Sequence, residues 1–199
     1  PLGGHGLKPW WGGAEISPQT LTTLLQKVFM KNRRNILSRI ISENGLKSGA
    51  ETGVGSGLTT KYLLEAHPDL KWIGVDHFPA GFELCDGTRM TQERQDRYRT
   101  NYEALVKRFA PRLRWINAPA PQGADMVEDG SLDLVFIDDD HSHEGCRAAI
   151  AAWRPKLRAG GWLTGHDFCE ERFPGVVKAV KDSVPGFEVA DGEVWMVRV

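Results

Sequence analysis

The sequence predicts an α/β fold: a doubly wound, mostly parallel sheet covered by helices on both faces. Three observations carry that prediction. Short apolar runs alternate with amphipathic stretches from about residue 48 to 182, the pattern of successive βαβ units. The first run leads into a glycine-rich turn, Glu51-Thr52-Gly53-Val54-Gly55-Ser56-Gly57, that opens a helix. The chain finishes in two β-prone runs, 187–190 and 193–199, around Asp191-Gly192, which reads as a C-terminal antiparallel hairpin. Together they describe a Rossmann-like sheet. With 199 residues, 41% hydrophobic content and no repeat or linker, the chain reads as one domain, 1–199. Residues 1–45 form an N-terminal arm and helical extension, and 46–199 the core.

In chain order, residues 3–18 are rich in Gly, Trp and Pro and read as an irregular arm, with Trp10 and Trp11 as core or oligomer anchors. The opening Pro1-Leu2-Gly3-Gly4 reads as an expression remnant, and no secretory signal is expected. A helix is expected from Ser17 or Thr20 to about Glu43, because Leu21, Leu24, Leu25, Val28, Phe29, Ile36, Ile40 and Ile41 recur mostly three and four residues apart. Strands are expected near 50–52, 72–75, 113–116, 132–137 and 162–164, and helices at about 58–66, 90–109, 143–156 and 174–182. Arg97, Arg99, Lys107 and Arg108 read as a solvated helix face.

Composition excludes several classes. A net charge of −1 lacks the basic surplus that nucleic acid or an anionic membrane demands. No Asn/Asp-Pro-Pro-Tyr motif of nucleic-acid adenine methylation occurs. No apolar run approaches the roughly 20 residues that span a bilayer. Cys85, Cys146 and Cys169 form no CxxC pair, which favours reduced thiols and a cytoplasmic setting. The expected partner is a small-molecule substrate, with neither nucleic acid nor membrane, and the paired tryptophans make a homodimer plausible.

Two places carry chemistry. The glycine loop lets the backbone approach a ligand, and the following helix offers free N–H groups. The next strand ends Gly74-Val75-Asp76, placing an acid about 20 residues past the loop, suited to a ribose hydroxyl pair. The bland alternative is a simple βα turn with Asp76 capping a loop. The loop spells GxGxG, not the dinucleotide GxGxxG, and Glu51 before it suits a cationic group such as a methionine amine better than a pyrophosphate. The second place is Phe136-Ile137-Asp138-Asp139-Asp140-His141, an apolar run ending in acids, echoed by Gly165-His166-Asp167. Buried carboxylates without partners are unfavourable, so the run points to a bound cation. If these strands are neighbours, spaced about 4.8 Å, Asp138 and Asp167 suit Mg²⁺. His141 is then the general base for a hydroxyl that the cation polarises. Asp139 reads as a solvated loop acid, Asp140 as a cap for a helix beginning near Ser142, and His143 as facing solvent.

The run E-T-G-V-G-S-G followed by V-D resembles the first two motifs of class I S-adenosylmethionine-dependent methyltransferases. The resemblance implies that Glu51, Gly53, Gly55 and Gly57 line the methionine and ribose end of S-adenosyl-L-methionine and that Asp76 binds the ribose hydroxyls. Asn117-Ala118-Pro119-Ala120 falls where the family contacts adenine, making Ala118 and Ala120 contact candidates, although Gly-Asp-Ser/Ala is usual there. The later pattern, Leu-Val-Phe-Ile-Asp-x-Asp-His-Ser-x-Glu-Gly and then Leu-x-x-Gly-Gly-x-x-x-x-His-Asp, is similar to metal-dependent macrolide-sugar O-methyltransferases and more distantly to catechol O-methyltransferase. That likeness, over roughly residues 48–180, implies Asp138 and Asp167 as metal ligands, Asp138 also at the cofactor, and His141 as base. His166 fills a ligand position usually held by an acid: it ligates through nitrogen, favours Mn²⁺ or Fe²⁺ over Mg²⁺, or only hydrogen-bonds nearby.

The function expected is divalent-cation-assisted O-methylation of a small hydroxylated substrate. A metal-dependent hydroxylase of the same fold is the alternative. So is a metallohydrolase using Asp138, Asp140, His141 and His166, which leaves Glu51 and Asp76 unexplained. A non-catalytic binding protein ranks last. Specificity is expected from residues 3–11, 77–90 and 168–174.

Overall fold

The structure, a computed structural model, describes residues 32–81 and 89–199. In chain order these form α1 (Arg33–Asn44), β1 (Ser48–Thr52), α2 (Leu58–Ala66), β2 (Lys71–Val75), α3 (Gln92–Arg108), β3 (Leu113–Ile116), α4 (Ala120–Ala124), β4 (Leu132–Ile137), α5 (His143–Trp153), β5 (Leu157–Gly165), α6 (Pro174–Ser183), β6 (Glu188–Ala190) and β7 (Val194–Arg198). The seven strands lie in the order β3-β2-β1-β4-β5-β7-β6. Neighbours from β3 to β5 pair in parallel, and β7 runs antiparallel between β5 and β6. Strand order reverses between β1 and β4, and in such sheets ligands collect beyond the carboxyl ends at that switch point.

Strand β4 is buried along its whole length, as a central parallel strand must be when helices cover both faces. Its side chains alternate. Leu134 and Phe136 join the core of α1, α2 and α3, including Ile36, Leu63 and Tyr102. Val135 and Ile137 join the opposite core of α5 and α6, including Ile150, Trp153 and Val180. The sheet is therefore clamped from both sides and its carboxyl edge has little freedom.

Sequence boundaries hold within one or two residues for most elements, with three differences. Asn32 is extended (φ −95, ψ 121) and its side chain accepts from Arg34 N at 3.1 Å, so a helix starts at Arg33 rather than running through from Ser17 or Thr20. Ser17, Thr20, Trp10, Trp11 and Cys85 lie outside the described residues. The helix expected to reach 156 gives way after Trp153 to a 3₁₀ turn at Arg154–Lys156 containing Pro155, and β5 begins at Leu157, five residues before the strand expected at 162–164. The hairpin forms, but Asp191–Glu193 is a 3₁₀ turn with Gly192 and Glu193 at positive φ, not a two-residue turn. The short helix α4 carried no periodic signal. Among the described residues no helix is long and apolar enough to cross a membrane.

Candidate active site

Ladder bonds continue one residue past the strands and bring their acidic ends together. Asp138 N donates to Thr52 O and His166 N to Ile137 O, each at 3.1 Å. Register Thr52↔Ile137 and Ile137↔Gly165 sets Asp138 and His166-Asp167 side by side.

The glycine loop crosses the end of β4 in contact. Gly53 has φ 74, and a Cβ there would lie 2.1 Å from Asp138 O, so only glycine fits. Gly55 faces open space, and its N–H donates to Asp76 Oδ2 at 3.1 Å. Phe78 N donates to the other oxygen of Asp76 at 2.7 Å. Burial still pushes the Asp76 carboxyl above its ordinary range, against these hydrogen bonds. Gly57 faces α3, where a Cβ would sit 2.5 Å from Leu105. Trp115 Nε1 donates to Asp76 O at 3.0 Å, and Phe78 packs edge-on against the Trp115 ring. The 118–120 stretch turns toward the core: Ala120 is buried and its carbonyl accepts from Trp153 Nε1 at 2.8 Å, while Ala118 is half-buried.

Glu51 is only 1% exposed and accepts from Thr60 Oγ1 at 2.6 Å. Burial pushes its carboxyl up to about 7; the Thr60 hydrogen bond and Arg33 oppose the rise and Asp138 adds to it. A buried acid in this state gains from a cationic ligand, which would favour its ionised form.

Across the loop lies the acidic half. Asp138, His141 and Asp167 bring one ligand atom each within 4.8 Å of the others. His166 stands beside this set, with Nδ1 2.9 Å from Asp167 Oδ1 and 3.7 Å from Asp138 Oδ1. His141 Nε2 lies 2.7 Å from Asp167 Oδ2, and its ring stacks on Phe173 with centroids 4.6 Å apart. Burial disfavours a charged His141, but the bond to Asp167 outweighs it and raises its pKa from 6.5. Burial likewise opposes the Asp167 carboxylate, and the two histidines overcome it, holding that carboxyl well below the usual range. Asp167 has φ 60, a left-handed conformation that aims its side chain back into the cluster. Asp138 is buried, and that burial pushes its carboxyl up to about 6 despite Arg33 and His166. Two carboxylates flanked by imidazoles, one of the acids buried and weakly paired, are a donor set that fits a divalent cation.

Three surrounding side chains differ from their expected roles. Asp139 is no solvated acid: Thr52 Oγ1 donates to it at 2.7 Å and burial pushes it up to about 6. Asp140 does not cap α5. Ser142 does, accepting from Gly145 N at 3.0 Å, while Asp140 accepts from Ser142 N at 2.8 Å. His143 is not free in solvent, because Nε2 sits 3.0 Å from Asp182.

Sequence reasoning missed Arg33, Thr60 and Phe173. Arg33 Nη1 lies 3.6 Å from Asp138 Oδ2 and 3.3 Å from His166 Nδ1, and its Nε reaches Thr59 Oγ1 at 3.4 Å. Within Lys31-Asn32-Arg33-Arg34 nothing distinguishes it from a solvated charge. Thr60, one helical turn past the loop, and Phe173, a lone aromatic before Pro174, carry no motif of their own.

This strand order, with a glycine loop after β1 and an acid closing β2, defines a class I methyltransferase fold. A family model described as "Methyltransferase domain" matches residues 50–168, more than half of the chain, and the chain belongs to that family. The solved structures similar to it include a provisionally named caffeoyl-CoA O-methyltransferase from Staphylococcus aureus (15% identity, 92% of this chain and 93% of that one, TM-score 0.60). Others are CalS11, a calicheamicin methyltransferase (14%, 92% and 80%, TM-score 0.61), and cofactor-bound Rv0187 from MTB (16%, 91% and 90%, TM-score 0.58). At such identities the likeness is one of fold. No curated protein matches the chain.

Proposed function

We propose that this methyltransferase uses S-adenosylmethionine to methylate a hydroxyl of a small molecule, with a divalent cation held by Asp138, His166 and Asp167. One observation supports it above the rest: the Gly53 loop rests on the Asp138 peptide, so the groups assigned here to the methyl donor, Glu51, Gly55 and Asp76, belong to the loop and strand ends next to the acid–histidine cluster. The S. aureus neighbour's name, an O-methyltransferase, accords with an oxygen acceptor.

S-adenosylmethionine supplies an electrophilic methyl group, and a divalent cation favours the alkoxide form of an acceptor hydroxyl. Asp76, fixed by two backbone N–H groups, is placed to accept from ribose hydroxyls, and Glu51 to meet the cationic methionine end. His141 takes the acceptor's proton. Asp167 holds the imidazole and stabilises the imidazolium that proton uptake produces, while Phe173 fixes the ring plane.

The test is transfer of tritium from methyl-labelled S-adenosylmethionine to a panel of sugars and catechols. Transfer should stop with EDTA and return with Mg²⁺ or Mn²⁺. Transfer indifferent to EDTA would remove the cation from the reading; transfer to no acceptor by protein that binds the cofactor would remove the acceptor class. Iron content and dioxygen consumption separate this reading from a hydroxylase.

A further inference from the structure

Arg33 places a permanent positive charge on groups that the proposed cation would need. Its Nη1 is 3.6 Å from Asp138 Oδ2 and 3.3 Å from His166 Nδ1, and those are two of the three ligands in the reading above. The lone-pair count makes the overlap sharper. His166 Nδ1 also lies 2.9 Å from Asp167 Oδ1. A single ring nitrogen cannot donate to Asp167 and accept from Arg33 at once. Either the proton points at Asp167 and the guanidinium contact is unsatisfied, or the bare lone pair faces Arg33 and a carboxylate together. A cation ligated by Asp138, His166 and Asp167 would resolve the conflict, but it would stand within a few ångströms of the guanidinium and repel it. Arg33 has a way out: its side chain is 38% exposed and sits at the first position of α1.

We propose that Arg33 is a tethered competitor of the divalent cation: its guanidinium occupies Asp138 and His166 until a metal ion displaces it toward solvent. The proposal rests on the cation reading above and adds to it. Arg33 keeps the buried Asp138 carboxylate partnered before the metal arrives and sets a threshold concentration for metal loading.

The full chain, stripped with EDTA, is titrated with Mn²⁺ and free ion is followed by electron paramagnetic resonance, without cofactor or acceptor. Arg33→Met should bind Mn²⁺ about tenfold or more tightly than wild type, with Arg33→Lys in between. Adding Asp138→Asn to Arg33→Met should abolish the gain. Equal or weaker binding by Arg33→Met, with wild type binding normally, overturns the competition and leaves the cation reading standing. Binding by neither protein at millimolar Mn²⁺ overturns both. A second measurement needs no variant. Phenylglyoxal labelling of Arg33, mapped by mass spectrometry, should speed up several-fold in Mn²⁺-saturated wild type, and an unchanged rate with Mn²⁺ bound contradicts displacement.

Discussion

Strand β4 carries a buried carboxylate at each end, and the fold treats the two in opposite ways. At the amino end, Asp133 Oδ2 accepts from Lys47 N at 2.6 Å and Ser48 N at 2.9 Å, and Oδ1 pairs with Arg158 Nε at 2.8 Å. At the carboxyl end, the ion-pair partners of Asp138 among the described residues lie at 3.6 and 3.7 Å, and burial lifts its carboxyl to about 6. Both side chains are less than a tenth exposed, so burial alone does not tell them apart. Partner geometry does. Asp133 is saturated by donors that are part of the chain and locks β1 to β4. Asp138 is desolvated without saturation, a state that persists where the surroundings impose it and a ligand completes it.

The largest effects should fall at the carboxyl end. Asp138→Asn is expected to lower turnover by at least about a hundredfold, and His141→Ala by about 10²–10⁴-fold, in steady-state assays. Asp133→Asn should leave turnover within about twofold at temperatures where it is folded. In wild type, activity should rise with pH through a His141 pKa above 6.5, because the neutral ring is the base and Asp167 favours its protonated form.

Stability should show the reverse. Asp133→Asn leaves one amide oxygen for Lys47 N and Ser48 N but turns an NH2 group toward Arg158 Nε in place of its carboxylate partner, and should destabilise by about 1–3 kcal/mol in urea melts. Asp138→Asn should stabilise ligand-free protein near neutral pH by on the order of 1–3 kcal/mol. The sign follows from linkage: an acid whose folded pKa lies above its unfolded value binds more protons in the folded state, so stability declines as pH rises between the two values. For Asp138 that window runs from 3.8 to about 6. Were Asp138→Asn as destabilising as Asp133→Asn, the contrast between the two strand ends would collapse.

Glu51 extends the comparison to β1. Its window runs from 4.5 to about 7, so Glu51→Gln should raise the melting temperature at pH 8 and change it little at pH 4.5, while weakening cofactor binding. A milder effect on turnover than at the site itself is expected just outside it. Gly175 lies against the backbone at His141-Ser142, a Cβ there meeting His141 O at 2.5 Å. Gly175→Ala should destabilise by about 1–3 kcal/mol and reduce turnover only several-fold, by tilting the 141 turn.

Much of the fold was legible because the signals were local. The apolar runs at 72–75 and 132–137 and the Ser-Gly-Leu start of α2 mark their elements within a few residues. The break at Asn32 was not, since apolar periodicity continues through residues 21–41 and a single cap interrupts it. In the site, Glu51, Asp76, Asp138 and Asp167 were legible as acids at strand ends, where topology alone brings them together. Arg33 was not, because its contact with His166 spans 133 positions of chain and depends on how α1 packs. Asp139 was misjudged for a related reason: its partner, Thr52, is on another strand. Sequence shows which groups a strand delivers to the edge, not which will find a partner there.

The central claim is that the strand ends of β1 and β2 form a pocket for S-adenosylmethionine beside the acidic end of β4. Calorimetric titration of S-adenosylhomocysteine into the full chain tests it directly. One site per chain with micromolar affinity, weakened about tenfold or more by Asp76→Ala in a protein that still melts cooperatively, is the predicted result. A flat titration of folded wild type, or equal affinity in Asp76→Ala, would contradict it.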